Sequence, residues 1–356
     1  MKRTLHARAV SAALLCLASA PAAVAAETPA PQPTSPSPPS TAPAPAPPAP
    51  VAGKLTLVLQ KVGGSPPFAL VGGRMVVRGI VTPYVGGQTI KVSFYREGRK
   101  VEVKTVSVLA VGNGTGQFHI NFASRFAGLV QARAAHYPTP QQGAFSARSQ
   151  GVRFVNPNLG LGAKGPSVRL LQSELNALHY AVPLSGVFDE GTGRALVAYR
   201  KMTGLERIPY AGRQVFQRLS RHAGSFHVRY RRDGRHVEAN LTRQVLAEIN
   251  AGGNVRAIYT ISSGKPSTPT VIGRFRVYSK TLGTNAKGMV DSNYFIRGYA
   301  IHGYAEVPVY AASHGCLRVP VPDAAAIYGW VKYGTPVDVY NEDGRGSSFV
   351  RTNAGP

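Results

Sequence analysis

The spacing of apolar residues changes twice along this chain, and that change constrains the fold more than any other feature. Between residues 54 and 156 apolar and polar residues alternate, as in Leu55–Leu59, which predicts short strands. Between 157 and 222 apolar residues recur every three or four positions, which predicts helices. Strand-like segments return between 225 and 341, with one helix expected at 322–333. The chain is therefore expected to be multidomain.

The first β-rich part, 54–156, carries turn signals at near-regular spacing, such as Gly86-Gly87 and Gly112-Asn113-Gly114. Several short strands separated in this way are typical of a β-sandwich, and we expect an immunoglobulin-like one. His119 and His136 are interpreted as surface or turn residues, because no catalytic constellation occurs in this part. A spacer or a binding module is the predicted role.

The helical part, 157–222, is predicted to be a small three-helix bundle whose apolar residues form its core. These are Val168, Leu171, Leu175 and Leu178 in the first helix, Ala195, Tyr199 and Met202 in the second, and Val215, Phe216 and Leu219 in the third. The last part, 225–341, includes expected strands at 226–230, 244–249, 255–261, 274–278, 294–296 and 335–340. Residues 342–356 are predicted to be a flexible tail.

The N-terminus has the three parts of a secretory signal over residues 1–26. These are the basic residues Lys2, Arg3 and Arg8, the apolar run 9–20, and the small residues Ala23-Val24-Ala25. An uncleaved membrane anchor is the alternative interpretation. Residues 27–53 are rich in Pro and Ala and predict an extended linker. The protein is thus expected to be exported to the cell wall, the periplasm or the medium, either soluble or tethered by its N-terminus, without a transmembrane span once the signal is removed.

The formal net charge is +25, and 25 − 3 = +22 remains when Lys2, Arg3 and Arg8 are removed with the signal. A charge of this size favours an anionic partner. Outside the cytoplasm the candidates are anionic wall polymers or lipid headgroups, and nucleic acid is not expected. A composition that is simply rich in Arg is the alternative interpretation, and it applies equally to the basic segment 218–235.

Only one of the two cysteines, Cys316, is predicted to remain in the mature chain, because Cys16 lies in the signal. No internal disulfide can then form, and a lone thiol beside histidine and serine is a candidate nucleophile. His302 and His314 lie within fourteen positions of Cys316 and could accept the thiol proton. Three alternative interpretations stay open: an inert buried cysteine, zinc ligation by these three residues, and a purely structural His302.

Two ordered sets of motifs resemble known families. Residues 236–341 resemble the YkuD-type L,D-transpeptidase catalytic domain. The matching segments are 240–246, Ser262-Ser263-Gly264-Lys265 with Pro269-Thr270, Gly273-Arg274-Phe275, Ile301-His302-Gly303 and Ser313-His314-Gly315-Cys316. The helical part is similar to the peptidoglycan-binding domain, in 165–172, 186–189, Thr192 and Gly204-Leu205. It departs from that family at Arg200-Lys201.

The first resemblance implies a cysteine acyltransferase that acts on peptidoglycan stem peptides and links third-position residues through a thioester, with no cofactor and no metal. It implies that Cys316 is the nucleophile and His302 the proton carrier, oriented by the Gly303 carbonyl. It also implies that Ser313, His314 and Gly315 support the site. Amides near Gly315 and Cys316 are expected to form the oxyanion hole.

Substrate contacts are expected from Arg318, Tyr294 and Tyr304. Residues 281–299 are interpreted either as a lid over the site or, equally, as a static surface loop. Three other functions stay open. They are a catalytically silent wall-binding protein, an L,D-carboxypeptidase, and another thiol acyltransferase of the sortase kind, whose motif this chain lacks.

Overall fold

The structure is a computed structural model that describes residues 47–344. The predicted signal at 1–26, most of the predicted linker and most of the predicted tail lie outside the described residues. Two of the linker and tail residues that are described make defined contacts. Val51 N–H donates to Gln141 O at 3.0 Å, and Arg243 Nε donates to Glu342 Oε1 at 2.8 Å. Within residues 47–344 no helix is long and apolar enough to cross a membrane.

The first β-rich part consists of two sheets that share one apolar core. Its strands are β1 (Lys54–Gln60), β2 (Phe68–Leu70), β3 (Arg74–Thr82), β4 (Thr89–Arg96), β5 (Arg99–Ser107), β6 (Leu109–Gly112), β7 (Thr115–Ala123), β8 (Gly128–His136), β9 (Phe145–Arg148) and β10 (Val152–Val155). One sheet has the order β1-β3-β7-β6, and the other has the order β2-β10-β8-β4-β5 with β9 beside β8. Phe94 and Phe122, from different sheets, stack at 4.4 Å between ring centroids. The immunoglobulin-like topology stays a prediction.

His136 is buried, so the interpretation that it is a surface or turn residue was wrong. It lies on the same side of β8 as Ala132 and Ala134, which are both buried in the core. Its ring stacks on Phe145 at 4.8 Å, and its Nδ1 lies 3.2 Å from Thr89 O. His119 is exposed on β7.

Three helices follow: α1 (Pro166–Ala177), α2 (Glu190–Met202) and α3 (Arg213–Leu219). α1 begins with a proline, whose missing N–H costs nothing at that position. α2 is capped by Asp189, whose Oδ1 accepts the Thr192 N–H at 2.8 Å. The apolar faces of the three helices are buried in one cluster, although the assignment as a peptidoglycan-binding bundle stays a prediction.

The last part contains two sheets and one helix. Its elements are β11 (His236–Asn240), β12 (Val245–Ile249), β13 (Val255–Thr260), β14 (Gly273–Arg276), β15 (Ser279–Thr284), β16 (Val290–Ile296), β17 (Tyr299–Tyr304), β18 (Leu317–Pro320), α4 (Val321–Trp330) and β19 (Pro336–Tyr340). The sheets have the orders β13-β12-β11-β19-β14 and β15-β16-β17-β18. Both sheets and α4 contribute to one buried core, with Leu246 and Phe295 coming from the two sheets and Ile327 from α4.

The helices and the sheet of β12 and β13 are not separated by a core boundary. Leu246 points into the core between the two sheets, whereas Val245 and Ala247 join the cluster of the helices. Every residue of β12 is buried, because both faces of the strand are covered. The chain just after α1 also pairs with β13. Ile258 N–H donates to His179 O at 2.8 Å, and Ala181 N–H donates to Ile258 O at 3.0 Å.

Two expectations for this part were wrong in detail. Residues 226–230 do not form a strand, because the Arg229 and Tyr230 amides donate to the Glu238 carboxylate instead of to a strand neighbour. The helix expected at 322–333 ends at Trp330, and Val331 is extended. Lys280 Nζ donates to Tyr328 O at 2.6 Å, which satisfies a carbonyl at the helix end from outside the helix.

Candidate active site

The nucleophile candidate lies where a glycine turn enters β18. Cys316 is a free, half-buried cysteine one residue before that strand. β18 runs parallel to β17, with Ile301 opposite Leu317 and His302 opposite Arg318. Residues in register share a face of the sheet, and so do residues two apart in a strand. One face of this strand pair therefore presents His302, Tyr304 and Arg318, with Cys316 at its edge.

His302 is buried and held in one orientation. Its Nδ1 lies 2.8 Å from Gly303 O. A carbonyl only accepts hydrogen bonds, so Nδ1 carries the proton and Nε2 keeps a lone pair. The ring meets Tyr304 edge to face at 5.7 Å between centroids. Burial lowers the pKa of His302, the Gly303 hydrogen bond opposes this, and the charge of Arg318 adds to the lowering.

The Cys316 thiol is favoured in its protonated form. Burial raises its pKa above 9.0, while a hydrogen bond from the Ala300 backbone and the charges of Arg318 and Lys287 act in the opposite direction. Its Sγ lies 3.7 Å from Gly298 O and donates to it. With His302 also favoured neutral, the resting pair at neutral pH is thiol and imidazole, not thiolate and imidazolium. If Cys316 acts as a nucleophile, the loss of its thiol proton must accompany the attack.

Ser313 holds the turn that carries Cys316. Its Oγ donates to Cys316 O at 2.6 Å and accepts the Gly315 N–H at 3.0 Å. The Gly315 amide thus already donates to Ser313 Oγ, and its expected part in the oxyanion hole stays a prediction. The Cys316 amide is the other candidate donor.

Gly315 itself is required by sterics. Its φ of +120° lies in a region that favours glycine, and a Cβ there would lie 1.9 Å from Tyr299 Cε1. Gly303 is similarly confined, because a Cβ there would lie 2.8 Å from the Ala324 Cβ on α4. Both glycines allow the backbone to run close to neighbouring structure at the site.

A second loop, residues 262–270, fixes the turn from outside. Lys265 N–H and Thr268 Oγ1 donate to Ser313 O at 2.9 and 3.1 Å. Thr270 Oγ1 donates to Gly315 O at 2.7 Å and accepts the Gly264 N–H at 2.9 Å. In the sequence this loop is recognised only as a matching motif, and no role is predicted for its residues. The threonines two positions apart were the available signal.

The remaining predicted residues lie around this centre. His314 is exposed, and its Nε2 lies 3.4 Å from Lys265 Nζ. The guanidinium of Arg318 lies 4.0 Å from the centroid of the Tyr304 ring. Tyr294 is half-buried on β16, and its hydroxyl accepts a hydrogen bond from Asn285 Nδ2 at 3.3 Å. Within residues 47–344 no cluster of three His, Cys, Asp or Glu side chains is arranged to hold a metal ion.

A cavity of about 620 Å³ lies between α2 and the chain that follows β17. Tyr304 lines it together with Val197, Val307 and Val321. Tyr304 therefore faces both this cavity and His302, whereas Cys316 does not line the cavity.

Residues 234–339 match the family model of the YkuD L,D-transpeptidase catalytic domain. Both Cys316 and His302 lie in the matched range. No curated protein matches the chain at a significant level.

Several solved structures are similar to the chain. One is an L,D-transpeptidase from Xylanimonas cellulosilytica, with 31% identity over 52% of this chain and 98% of that one, and a TM-score of 0.47. Another, from Stackebrandtia nassauensis, has 21% identity over 53% and 98% of the two chains and a TM-score of 0.35. A mutant L,D-transpeptidase from Enterococcus faecium has 29% identity over 30% and 50%, and a TM-score of 0.27.

Proposed function

We propose, on the premise that residues 234–339 are an L,D-transpeptidase catalytic domain of the YkuD family, that this chain cross-links peptidoglycan stem peptides through a thioester on Cys316. The donor is a tetrapeptide stem, and the acceptor is the side-chain amine of the third residue of a neighbouring stem. No nucleotide is consumed, because the thioester conserves the free energy of the amide bond that is broken.

The observation that carries the proposal is the orientation of His302 beside the strand that Cys316 enters. The Gly303 carbonyl accepts the Nδ1 proton, which leaves Nε2 as the base. The parallel register of β17 and β18 places the His302 and Cys316 backbones at the same end of the strand pair. A neutral imidazole and a neutral thiol are the reactants of general-base catalysis.

In the acylation half, Cys316 Sγ attacks the carbonyl carbon of the third residue of the donor, and the thiol proton passes to His302 Nε2. The carbonyl oxygen becomes an oxyanion, and the Cys316 amide is the proposed donor to it. When the tetrahedral intermediate collapses, the C–N bond breaks and His302 returns the proton to the departing D-alanine amine. The donor remains attached as a thioester.

In the transfer half, the acceptor amine attacks the thioester carbon and His302 Nε2 takes a proton from the amine. The C–S bond then breaks, and that proton goes to the sulfur to restore the thiol. Ser313 and Gly315 keep the turn in place through both halves, since they hold the carbonyl of Cys316 and the backbone that precedes it.

Substrate contacts are proposed for Arg318, Tyr304 and Tyr294. Arg318 is the cation whose charge reaches both His302 and Cys316, so a substrate carboxylate bound to it would lie close to the reacting atoms. The hairpin of β15 and β16 ends near Lys287, whose charge also reaches the thiol, and we propose this hairpin as the lid.

Export and attachment to the wall are proposed from the sequence. The helices α1–α3 would bind peptidoglycan, and the basic surface would bind anionic wall polymers. The N-terminal signal and linker would place the catalytic part outside the cytoplasm.

The test is incubation with purified tetrapeptide muropeptides, with products and protein adducts identified by mass spectrometry. Cys316→Ala is expected to abolish acylation, and His302→Ala to slow it about a hundredfold or more, as for loss of a general base. His314→Ala is the matched control, a histidine two positions from the nucleophile with an exposed side chain, and it should have a smaller effect. Equal activity of His302→Ala and wild type would refute the assignment of the base. Tripeptide without cross-links would indicate a carboxypeptidase, and the absence of any adduct or product would indicate a silent wall-binding protein.

A further inference from the structure

Lys201, near the end of α2, is buried in the sheet of the catalytic domain. Only 2% of its surface is exposed. Its Nζ donates to Gln244 O at 3.1 Å, to Thr260 Oγ1 at 2.7 Å and to Ile261 O at 2.8 Å. These acceptors lie at the adjacent ends of β12 and β13. A residue of the helical part therefore joins the ends of two catalytic strands.

The three bonds match those expected of the charged side chain. An ammonium has three protons and no lone pair, and here it has three acceptors. No carboxylate forms an ion pair with Lys201 among residues 47–344. Burial lowers the pKa of Lys201 to about 7, and the charge of Arg207 contributes. A cation kept at this cost without a counter-ion is a candidate for a functional role.

From these strand ends a continuous chain of hydrogen bonds leads to the turn that carries Cys316. Gln244 Nε2 donates to Ser263 Oγ at 2.6 Å, and Gln244 Oε1 accepts the Ser263 N–H at 2.9 Å. Ser263 O in turn accepts the amides of Ala312 and Ser313, both at 2.9 Å. Ser313 then bonds to the Cys316 carbonyl.

A second route runs through the residue after Ile261. Ser262 N–H donates to Arg318 O at 2.9 Å, and Arg318 N–H donates to Ser262 O at 3.0 Å. The two routes reach the chain on either side of Cys316. Lys201 thus fixes the base of both.

We propose that Lys201 is a positioning residue for Cys316, and that the helical part is a component of the catalytic unit in addition to any role in wall binding. The kinetic part of this inference rests on the proposed transpeptidase function, whereas the effect on the Cys316 thiol does not. Lys201 touches no reacting atom and acts through Gln244, Ser263 and Ser313.

The test compares Lys201→Met with Arg207→Met in the full chain. Methionine keeps the length of the side chain and removes the three donors. Arg207 is the matched control, because its Nη1 also crosses from the helical part to the catalytic domain, donating to Val309 O at 2.7 Å, outside both routes. Fluorescence of Trp330, the one tryptophan of the chain, verifies that each variant is folded.

Lys201→Met is expected to lower kcat roughly ten- to hundredfold, as for a misplaced reacting group, with KM within about twofold of wild type. The rate of alkylation of Cys316 by iodoacetamide should rise where kcat falls. A looser turn exposes the thiol and relieves the burial that raises its pKa, so alkylation at pH 7 should be about threefold faster. A side chain that merely stabilised the fold would not produce this pair of changes. Arg207→Met removes a charge that lowers the pKa of Lys201. This favours the ammonium form and keeps the three bonds of Lys201, so both measurements should stay unchanged.

A folded Lys201→Met protein with the kcat and the alkylation profile of wild type would overturn the inference, and so would equal effects of both substitutions. If Lys201→Met does not fold, Thr260→Val replaces it, because valine is isosteric and removes one of the three acceptors. It should lower kcat about threefold at unchanged KM, and a wild-type kcat would overturn the inference. If wild type has no transpeptidase activity, the proposed function fails while alkylation still decides the role of Lys201.

Discussion

Replacing Gly315 by alanine is expected to damage both stability and catalysis. The backbone there has φ = +120°, and the new Cβ would lie 1.9 Å from Tyr299 Cε1 and 2.7 Å from Cδ1. Contacts under 3.0 Å do not persist, so either the Tyr299 ring or the turn must move by about 1 Å. The turn is held by Ser313 and Thr270, so the movement would also displace Cys316.

The magnitude has two parts. A non-glycine residue in such a backbone conformation costs about 1–3 kcal/mol. Overpacking against a ring in a closely packed site costs about 1–3 kcal/mol more. The expected loss in the free energy of unfolding is therefore about 2–6 kcal/mol, and a displacement of the thiol by about 1 Å should slow acylation about a hundredfold.

The assay is urea unfolding followed by fluorescence of Trp330, which packs against the core of the catalytic domain, together with the rate of Cys316 acylation. Gly329→Ala is the control, because a Cβ at that helical position meets no atom within 4 Å and should be neutral or stabilising. Adding Tyr299→Ala to Gly315→Ala should reduce the overpacking part of the loss relative to Tyr299→Ala alone, and leave the backbone part.

A Gly315→Ala protein with the stability and acylation rate of wild type would refute the reasoning. So would a loss that Gly329→Ala reproduces, since the cause would then be the added methyl group and not its position in the turn.

Three further predictions concern charged and titratable groups. His302 must be neutral to accept the thiol proton, and its pKa lies below 6.5. The second-order acylation rate should therefore rise with pH below 6.5 and level off above it. A rise centred above pH 9 would instead indicate that the rate follows ionisation of the Cys316 thiol. Burial raises the pKa of Glu248 from 4.5 to about 7. At about 1.4 kcal/mol per pKa unit, wild type should lose up to about 3 kcal/mol of stability relative to Glu248→Gln as the pH rises from 4.5 through 7. A difference in urea unfolding between the two proteins that does not depend on pH would refute this. Arg194 Nη2 lies 3.0 Å from Asp323 Oδ1 on α4, and neither side chain is fully exposed. Arg194→Met should therefore lower the free energy of unfolding by about 2–3 kcal/mol, between the values of exposed and buried ion pairs, and adding Asp323→Asn should restore part of the loss. Purely additive losses in a double-mutant cycle would exclude a coupling between the two residues.

The catalytic domain could be predicted from sequence because its signal is local. The motif Ser313-His314-Gly315-Cys316 and the segment Ile301-His302-Gly303 are short and ordered, and the family match at 234–339 contains both. The motif contains Gly315, but a reason that only glycine fits there is the ring of Tyr299, sixteen positions away in the sequence.

The wrong predictions concern segments whose structure depends on contacts with residues elsewhere in the sequence. Residues 226–230 are rich in residues that favour strands, yet the Glu238 carboxylate takes the amides that a neighbouring strand would have bonded. His136 is polar, yet the alternation of β8 places it on the core side of the strand. There its ring stacks on Phe145 and its Nδ1 contacts Thr89 O. Composition contains no information on such partners.

The packing of the helical part against the catalytic sheet was not predicted from sequence, for a related reason. All five residues of β12 are buried, Glu248 included, so the strand has no exposed face against which a second packing surface could be recognised. Lys201 stood out in the sequence only as a departure from a family pattern. Its three acceptors are 43, 59 and 60 positions away, and only the folded chain brings them together.

The proposed reaction requires the sulfur of Cys316 to carry the donor peptide as a thioester. Intact-protein mass spectrometry after acid quench, with a tetrapeptide donor and no acceptor amine, detects this species. We expect an adduct equal to the donor minus D-alanine, located on Cys316 by peptide mapping. Release of D-alanine at wild-type rate by Cys316→Ala, or by wild type without any adduct on Cys316, would show that the thioester is not an intermediate.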